Sequence, residues 1–320
     1  MARAVLKRLG SGLAVLFVVS LLTFAVLHLL PGDPATLVLG LEGTPDKVEA
    51  LREAMGLNAP LVDQYASWIV GMARGDWGDS RVYGLPVLEV IGTALPVTLE
   101  LSVYAMALAL VVSLPLGVAA ALRPGGLVDG VARVLTQLAS AAPGFWLAVL
   151  LMLVFAGSLG WFPVAGYTPF SENPADCVRS LTLAAVTLAV GECGILIRTV
   201  RSSVMAALGR DCMLSARAKG LSRWRSVVVY AVRGALVAPL TVAGLQLAKL
   251  VGGTVVVESV FALPGLGRLL LTAVEQRDLE LVQGVVVVVT LAVVLVTLVI
   301  DLLVMVVQPS VRVAEGGEAQ

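Results

Sequence analysis

Residues 281–307 read LVQGVVVVVTLAVVLVTLVIDLLVMVV, and Asp301 is the only charged residue among them. A helix of about 20 consecutive apolar residues is long enough to cross the hydrocarbon layer of a membrane, which is roughly 30 Å thick. The unbroken run Val285–Val289 lacks the alternation of apolar and polar residues that is typical of membrane β-strands. A lipid-exposed segment must also satisfy its own backbone hydrogen bonds, which favours a helix. This stretch therefore predicts a membrane-spanning α-helix.

The composition of the whole chain extends this prediction. Hydrophobic residues make up 58% of the 320 residues, charged residues 14%, and the mean hydropathy is +0.96. Soluble domains have about 45–50% apolar and about 25% charged residues. The sequence therefore predicts an all-α integral membrane protein with six transmembrane helices. These spans are placed at 9–30, 98–122, 134–157, 180–200, 235–261 and 281–307.

The first span resembles a signal peptide because Arg3, Lys7 and Arg8 precede it. Its apolar stretch, Leu9–Leu30, is longer than the usual 7–15 residues of such a peptide, and no A-x-A cleavage pattern follows. We expect it to be a retained anchor helix.

The distribution of Lys and Arg predicts the orientation of the chain. With six spans, both termini lie on the same side, and that side carries fourteen Lys and Arg against seven on the other. Cytoplasmic loops are enriched in these residues. We therefore expect a multi-pass protein of the bacterial inner or plasma membrane with both termini in the cytoplasm.

Four regions follow from this topology. Residues 1–30 form the anchor helix, and residues 31–97 form an extracytoplasmic segment with nine Asp and Glu against four Lys and Arg. Within that segment we expect Asp46–Met55 to be helical and Gly71–Gly78 to form turns. Residues 98–309 form the transmembrane core, which contains a basic inner loop at 198–234. Residues 310–320 form a cytoplasmic tail.

Several kinds of chemistry have no matching residues in the sequence. No lysine follows a glycine, so the chain has no phosphate-binding loop of the form G-x-x-x-x-G-K-[ST]. His28 is the only histidine, and it lies at the outer end of the first span, which disfavours a serine hydrolase that needs a positioned base. The three cysteines are far apart and predict neither a zinc site nor a disulfide framework. We expect no catalytic site, no metal site, no cofactor and no nucleic-acid partner on this chain.

The inner loop contains the most informative stretch, RDCMLSARAKGLSRWR at 210–225. Residues 210–219 suit a short helix, and Gly220 occupies the position of a left-handed C-terminal cap. Such a helix could dock in a groove of a partner protein. A basic segment beside the membrane could equally lie on anionic lipid. The residues alone leave both interpretations open.

This loop resembles the coupling motif of permease subunits of bacterial ABC importers, which reads Glu-Ala-Ala, three residues, then Gly. Ala216 and Gly220 match that pattern, whereas Leu214 and Ser215 depart from it. The form Ala-Arg-Ala-Lys-Gly-Leu at 216–221 is typical of the dipeptide, oligopeptide and nickel permeases. Motifs that occur in the same order along nearly the whole chain are similar to those of the B-type permease subunit of that family. The long external segment after the first helix is also typical of that subunit. These motifs are Leu29–Pro34, Arg74–Gly78, Pro96–Glu100, Pro143–Trp146, Gly252–Glu258, Phe261–Gly267, Arg277–Asp278 and Asp301.

The resemblance implies a type I importer permease bundle that forms half of a translocation channel for dipeptides or oligopeptides. It implies four kinds of partner: a second permease subunit, two ATP-binding subunits that hold ATP and Mg²⁺, an extracytoplasmic solute-binding protein, and membrane lipid. In this family the inner loop docks on an ATPase subunit and carries its motion to the membrane helices. The coupling residues implied here are Leu214, Ser215, Ala216, Arg217, Lys219, Gly220 and Leu221.

Ionisable residues inside spans are costly and are candidates for function. Glu100, Glu258 and Asp301 occur near helix ends in the family pattern, where we expect them to anchor the structure. Glu192 and Lys249 lie deeper, and we expect them either to pair with each other or to line the cargo path. Weaker candidates for the path are Gln246 and Gln137.

Residues 261–267 form a turn rich in Pro and Gly at the outer mouth, with Phe261, Pro264, Gly265 and Gly267 as candidate outer-gate residues. A contact with the solute-binding protein or a plain tight connection is an alternative.

For the whole chain, the alternatives are a permease for nickel or metal chelates, a stand-alone secondary transporter and, more remotely, a membrane enzyme. A secondary transporter often contains paired repeats, and no second copy of the 210–220 motif occurs.

Overall fold

The computed structural model describes residues 2–29, 34–39, 44–54, 56–209, 222 and 232–307. These residues are mostly helical. The helices are α1 (Ala2–Leu29), α2 (Pro34–Leu39), α3 (Pro45–Ala54), α4 (Leu61–Ala73), α5 (Val87–Leu122), α6 (Leu127–Ala141), α7 (Gly144–Leu151), α8 (Pro174–Leu208), α9 (Arg233–Ala235), α10 (Val237–Gly253), α11 (Val255–Val260), α12 (Leu266–Glu275) and α13 (Leu279–Val307). Helix α7 continues as a π-helical segment, Met152–Ser158.

Each of the six predicted spans falls on helical segments of this structure. Among the described residues, four helices are individually long and apolar enough to cross a membrane, namely α5, α8 and most of α1 and α13. Helix α6 and the α7 segment through Ser158 form a pair bent by 101°. The remaining predicted span corresponds to α10, a shorter apolar helix, followed by α11 after a break at Thr254. The structure therefore agrees with an all-α membrane bundle.

Several helix boundaries differ from the predictions. Helix α5 begins at Val87, inside the predicted extracytoplasmic segment, and α8 extends beyond 180–200 in both directions. Asn173 sets the start of α8, because its side chain accepts hydrogen bonds from the backbone N–H groups of Ala175 and Asp176 at 3.0 and 3.3 Å. Hydropathy reports only the part of a helix that lies in lipid, so it misses such polar ends.

The segment between α1 and α5 differs from the prediction in two ways. Gly71 lies in α4 and not in a turn, whereas the predicted helix at Asp46–Met55 is found as α3. The segment also contains a small antiparallel hairpin in an otherwise helical structure, with Asp79–Ser80 (β1) paired to Leu85–Pro86 (β2). The predicted turn is thus confined to the residues just before the hairpin.

The hairpin is attached to the start of α13 through hydrogen bonds to a buried carboxylate. Asp278 Oδ2 accepts from the Ser80 hydroxyl at 2.7 Å and from the Val82 N–H at 3.1 Å. The Glu280 carboxylate accepts from the Asp79 N–H at 2.7 Å. These bonds fix the outer segment to the last membrane helix.

Helix α4 lies beside α1 and not apart from the membrane bundle. The hydroxyl groups of Tyr65 and Ser20 are 2.8 Å apart, and the Tyr65 ring makes edge contacts with Phe17 and Phe24. Ser20 is nine residues from the outer end of α1, which is about 14 Å along a helix. Part of the predicted extracytoplasmic segment thus packs along a predicted span.

The centre of the bundle is the packing of α5 against α8. Ile197, Val200 and Val204 of α8 are buried. Gly117 of α5 lies opposite Val200, where an added Cβ would be only 2.7 Å from the Val200 Cβ. Small residues at such crossings let membrane helices approach closely. Gly117 therefore sets the distance between the two helices.

We expect Gly117→Leu to destabilise the bundle, because overpacking of a close contact costs about 1–3 kcal/mol. Gly92→Leu in the same helix is the matched control, since an added Cβ at Gly92 meets no atom within 4 Å. Thermal unfolding of both variants in detergent measures the difference. A melting temperature for Gly117→Leu equal to that of Gly92→Leu would contradict the assigned packing.

Candidate translocation path and coupling region

The predicted coupling residues 214–221 lie outside the described residues, but the helix that leads into this loop is described. Helix α8 extends to Leu208, and Arg201 in its last two turns forms a bidentate ion pair with Asp129 of α6. The two contacts are 2.6 Å from Nε to Oδ1 and 3.1 Å from a terminal guanidinium nitrogen to Oδ2. The end of α8 that leads into the basic loop is thereby held to α6.

Asp129 is buried and has further partners beside Arg201. Its Oδ2 accepts from the Gly125 N–H at 2.9 Å and lies 3.3 Å from the Arg133 guanidinium. Sequence reasoning missed this site. The signal for it was an aspartate in the first turn of a helix that follows a Pro-Gly-Gly turn, a favourable place for an acidic side chain.

The outer turn at 261–267 is mostly buried. Of the four candidate gate residues, Phe261, Gly265 and Gly267 are buried and Pro264 is exposed. Leu263 is buried as well, and Ala262 has a positive φ of 53°. The turn therefore exposes its proline and packs its three large apolar side chains, Phe261, Leu263 and Leu266, into the bundle.

Glu258 holds this turn in place from the end of α11. It is fully buried, and its Oε1 accepts from the hydroxyl groups of Thr98 at 2.7 Å and Thr254 at 2.6 Å. Its Oε2 accepts from the Arg268 N–H at 3.0 Å. The Leu266 N–H donates to the Thr98 hydroxyl at 2.8 Å. Glu258 and Thr98 together accept hydrogen bonds from the backbone N–H groups at the start of α12, where a negative charge is favoured.

The two glycines of the turn are required by close approach. An added Cβ at Gly265 would collide with the Glu258 carboxylate. An added Cβ at Gly267 would be 2.6 Å from the Val255 Cα. Larger residues at either position would push α12 away from α11.

Glu100 connects α5 to the loop before α8. Its Oε2 accepts from the Tyr167 hydroxyl at 2.8 Å and from the Cys177 thiol at 3.3 Å. Tyr167 lies in the loop between the π-helical segment and α8. Burial and the adjacent Glu100 carboxylate raise the pKa of Tyr167, so the phenol stays protonated and keeps donating.

Asp301, the charged residue of the last span, forms an ion pair with Arg8 of α1. Gly12, one turn further along α1, packs against Val294 of α13. These contacts join the first and last membrane helices.

Glu192 and Lys249 are neighbours in space but do not form an ion pair. Glu192 in α8 is 7% exposed, and its Oε2 has no hydrogen-bond partner. Lys249 in α10 is exposed, yet it lies close enough to interact electrostatically with Glu192. No contact of 4.0 Å or less joins the two charged groups.

The two glutamine candidates do not join this pair. Gln246 lies in α10 and is half-buried, whereas Gln137 lies in α6 and is exposed. Among the described parts of the chain, no group of three or more His, Cys, Asp or Glu residues is arranged to hold a metal ion.

Comparison with known families gives two matches that cover most of the chain. Residues 113–313 match the family described as binding-protein-dependent transport system inner membrane component. Residues 1–102 match the N-terminal region of the same kind of membrane component.

Curated relatives agree with these matches. A Brucella abortus (strain 2308) protein named as a peptide transport system permease is 41% identical over 284 residues, which cover 89% of this chain and 90% of the relative. The dipeptide transport system permease protein DppB of Escherichia coli (strain K12) is 35% identical over 313 residues, with coverage of 90% and 92%.

The fold also resembles a solved structure. A chain of the methionine ABC transporter MetNI in an inward-facing conformation aligns with a TM-score of 0.55 at 19% identity, covering 69% of this chain and 97% of that one. This likeness supports the type I importer permease fold. Together with the apolar helices, the family matches make this chain a multi-pass inner-membrane protein that belongs to the family of binding-protein-dependent transport system inner membrane components.

Proposed function

We propose that this chain is the permease subunit of an ATP-driven importer of dipeptides and oligopeptides. The observation that carries the proposal is the similarity to relatives named as peptide and dipeptide permeases, which extends over about nine tenths of each chain. In this proposal the chain forms half of the translocation channel, and a second permease subunit forms the other half.

The remaining parts of the importer are on partner chains. Two ATP-binding subunits hold ATP and Mg²⁺ and hydrolyse the nucleotide, and an extracytoplasmic solute-binding protein delivers the peptide. This chain contributes no catalytic residue of its own. The excess of Lys and Arg on the inner loops supports cytoplasmic termini and an inner loop at 198–234 that faces the ATPase subunits.

The contacts around α8 support a role for this loop in coupling. A ligand drives a conformational change only through its different affinities for the two states, so the motion of the ATPase must reach the membrane helices through a stiff connection. Arg201 and Asp129 hold the inner end of α8 to α6, and Gly117 sets close packing of α8 on α5. A displacement of the loop would therefore move these three helices together.

Two other functions considered from the sequence have less support. Membership in a binding-protein-dependent family disfavours a stand-alone secondary transporter. No observation favours nickel or a metal chelate as the cargo over peptides.

The proposal predicts ATP-dependent uptake of a labelled dipeptide by proteoliposomes that contain both permeases and both ATPase subunits, with the solute-binding protein added outside. Omission of the ATPase subunits should abolish uptake. Uptake of Ni²⁺ in place of peptide would support the alternative cargo. Uptake by this chain alone would contradict the proposal.

The substitution Gly220→Trp tests the coupling loop. We expect it to abolish ATP-driven uptake and the stimulation of ATP hydrolysis by loaded binding protein, because the bulky ring would block close approach at the contact. The four-subunit complex should still copurify, which separates loss of coupling from loss of assembly. Wild-type uptake by the variant would reject the role of the loop.

We further propose that the buried turn at 261–267 is the outer gate, with Pro264 exposed toward the outer side. Its support is the network at Glu258, which joins α5, α11 and the start of α12 across the mouth. Any opening of the mouth that separates these helices must break these hydrogen bonds, so the network favours the closed mouth.

The variant Glu258→Gln should loosen this turn. The amide of glutamine has one acceptor oxygen in place of two, so either the Arg268 N–H or the hydroxyl groups of Thr98 and Thr254 lose their acceptor, at a cost of about 1–3 kcal/mol. We expect faster hydrogen exchange at 261–268 and ATP hydrolysis that no longer depends on loaded binding protein. Glu275→Gln, at an exposed position of α12, is the matched control. Unchanged exchange in Glu258→Gln would contradict the role assigned to the network.

A further inference from the structure

Lys249 differs from three other charged side chains described inside the membrane helices. Asp129, Asp301 and Glu258 each have a partner on another helix. Lys249 is exposed, and no carboxylate of the described residues lies within 4.0 Å of it. Its ammonium group therefore has donors available for a group outside this chain.

Lys249 lies near the middle of the span predicted at 235–261. It lies twelve residues after Val237, which is about 18 Å along α10, and the α10–α11 pair ends at Val260, about 17 Å further on. A charge at such a depth almost always faces the bundle interior or a water-filled cavity. The exposed face of α10 is therefore a poor candidate for contact with lipid.

The surroundings of Lys249 leave space in front of it. Gly252 and Gly253 are exposed three and four residues further along, and therefore share its helical face. An added Cβ at Gly253 meets no atom within 4 Å, and one at Gly252 meets only Val289 and Val293 of α13, at 3.9 and 4.0 Å. The helix breaks at Thr254, directly after these glycines. The face around Lys249 is thus open at the two glycines, and it also carries the exposed apolar side chain of Leu245, four residues before Lys249.

Glu192 lies behind this face and marks it as polar. It is more than nine-tenths buried, its Oε2 has no hydrogen-bond partner, and it interacts electrostatically with Lys249. A buried carboxylate with an unsatisfied oxygen is costly, so the nearby cation offsets part of that cost. Because Glu192 stays in the protein interior, the exposed side of the ammonium group remains free to meet an anion.

We propose that Lys249 lines the translocation path and binds the terminal carboxylate of the peptide as it passes, with Glu192 behind it as a partial counter-charge. This inference rests on the proposed function, because it assigns a contact to the cargo of that importer. A cation at this position selects cargo with a carboxylate over cargo in which that group is neutral.

The first test asks whether Lys249 faces water. Lys249→Cys is made in an assembled importer whose Cys177, Cys193 and Cys212 are replaced by alanine, and it is treated with a water-soluble, membrane-impermeant thiol reagent. We expect labelling at position 249. Leu13→Cys is the control, since Leu13 is 66% exposed on α1 and should remain unlabelled. Absence of labelling at 249 in every nucleotide state would overturn the proposal and indicate lipid or the second permease against this face.

The second test asks whether Lys249 recognises a carboxylate. Uptake of a dipeptide and of its C-terminal amide is measured in proteoliposomes at saturating binding protein preloaded with each peptide. We expect Lys249→Gln to slow uptake of the acid about tenfold or more, as for a lost hydrogen bond between charged groups, and to leave uptake of the amide unchanged. Lys249→Arg should leave the uptake rate of the peptide acid unchanged. The control Lys47→Gln, at an exposed lysine outside the transmembrane core, should change the uptake rate of neither peptide.

The outcomes of the second test separate the two proposals. Equal slowing of acid and amide by Lys249→Gln would indicate a structural role, and no slowing of either would indicate no role, so both results overturn this inference. Absence of ATP-driven uptake of any peptide by the wild-type importer would instead contradict the proposed function.

Discussion

The structure depends on the cost of placing charged groups among apolar helices, because such groups must find partners inside the protein. Asp129 meets Arg201 between α6 and α8, Asp301 meets Arg8 between α13 and α1, and Glu258 accepts hydrogen bonds between α11 and α5. Each of these contacts joins helices that are distant in sequence. The few polar residues of an oily chain therefore specify which helices lie together.

The same contacts divide the molecule in a way that suits a transporter. In the proposed orientation, the ion pair at Asp129 holds α8 to α6 on the cytoplasmic side, where α8 leads toward the basic loop, and the hydrogen bonds of Glu258 hold the turn at 261–267 on the opposite side. Glycines such as Gly117 and Gly244 let the helices approach closely. Small residues at these crossings allow rigid helices to be displaced as a group, which is what mechanical coupling across the membrane requires.

Much of the architecture could be predicted because hydropathy reports burial in lipid, and all six predicted spans fall on helices. The pairs of residues that contact each other could not be predicted. Thr98 and Glu258, for example, are 160 residues apart, and nothing in the local sequence of either identifies the other. Helix α4 lies in the segment predicted to be extracytoplasmic, yet its Tyr65 ring packs on Phe24 of α1. The coupling residues 214–221 came from a family resemblance and remain a prediction.

Lys249 and Glu192 are the informative exceptions to the rule of paired charges. The surroundings of Lys249 decide whether that rule describes this protein. The most direct measurement is a cryo-electron microscopy structure of the assembled importer, trapped with a peptide in the channel. The account predicts the Lys249 ammonium group within hydrogen-bonding distance of the peptide carboxylate, in a cavity between the two permeases. Lys249 against lipid acyl chains, or paired with a carboxylate of the second permease, would contradict it.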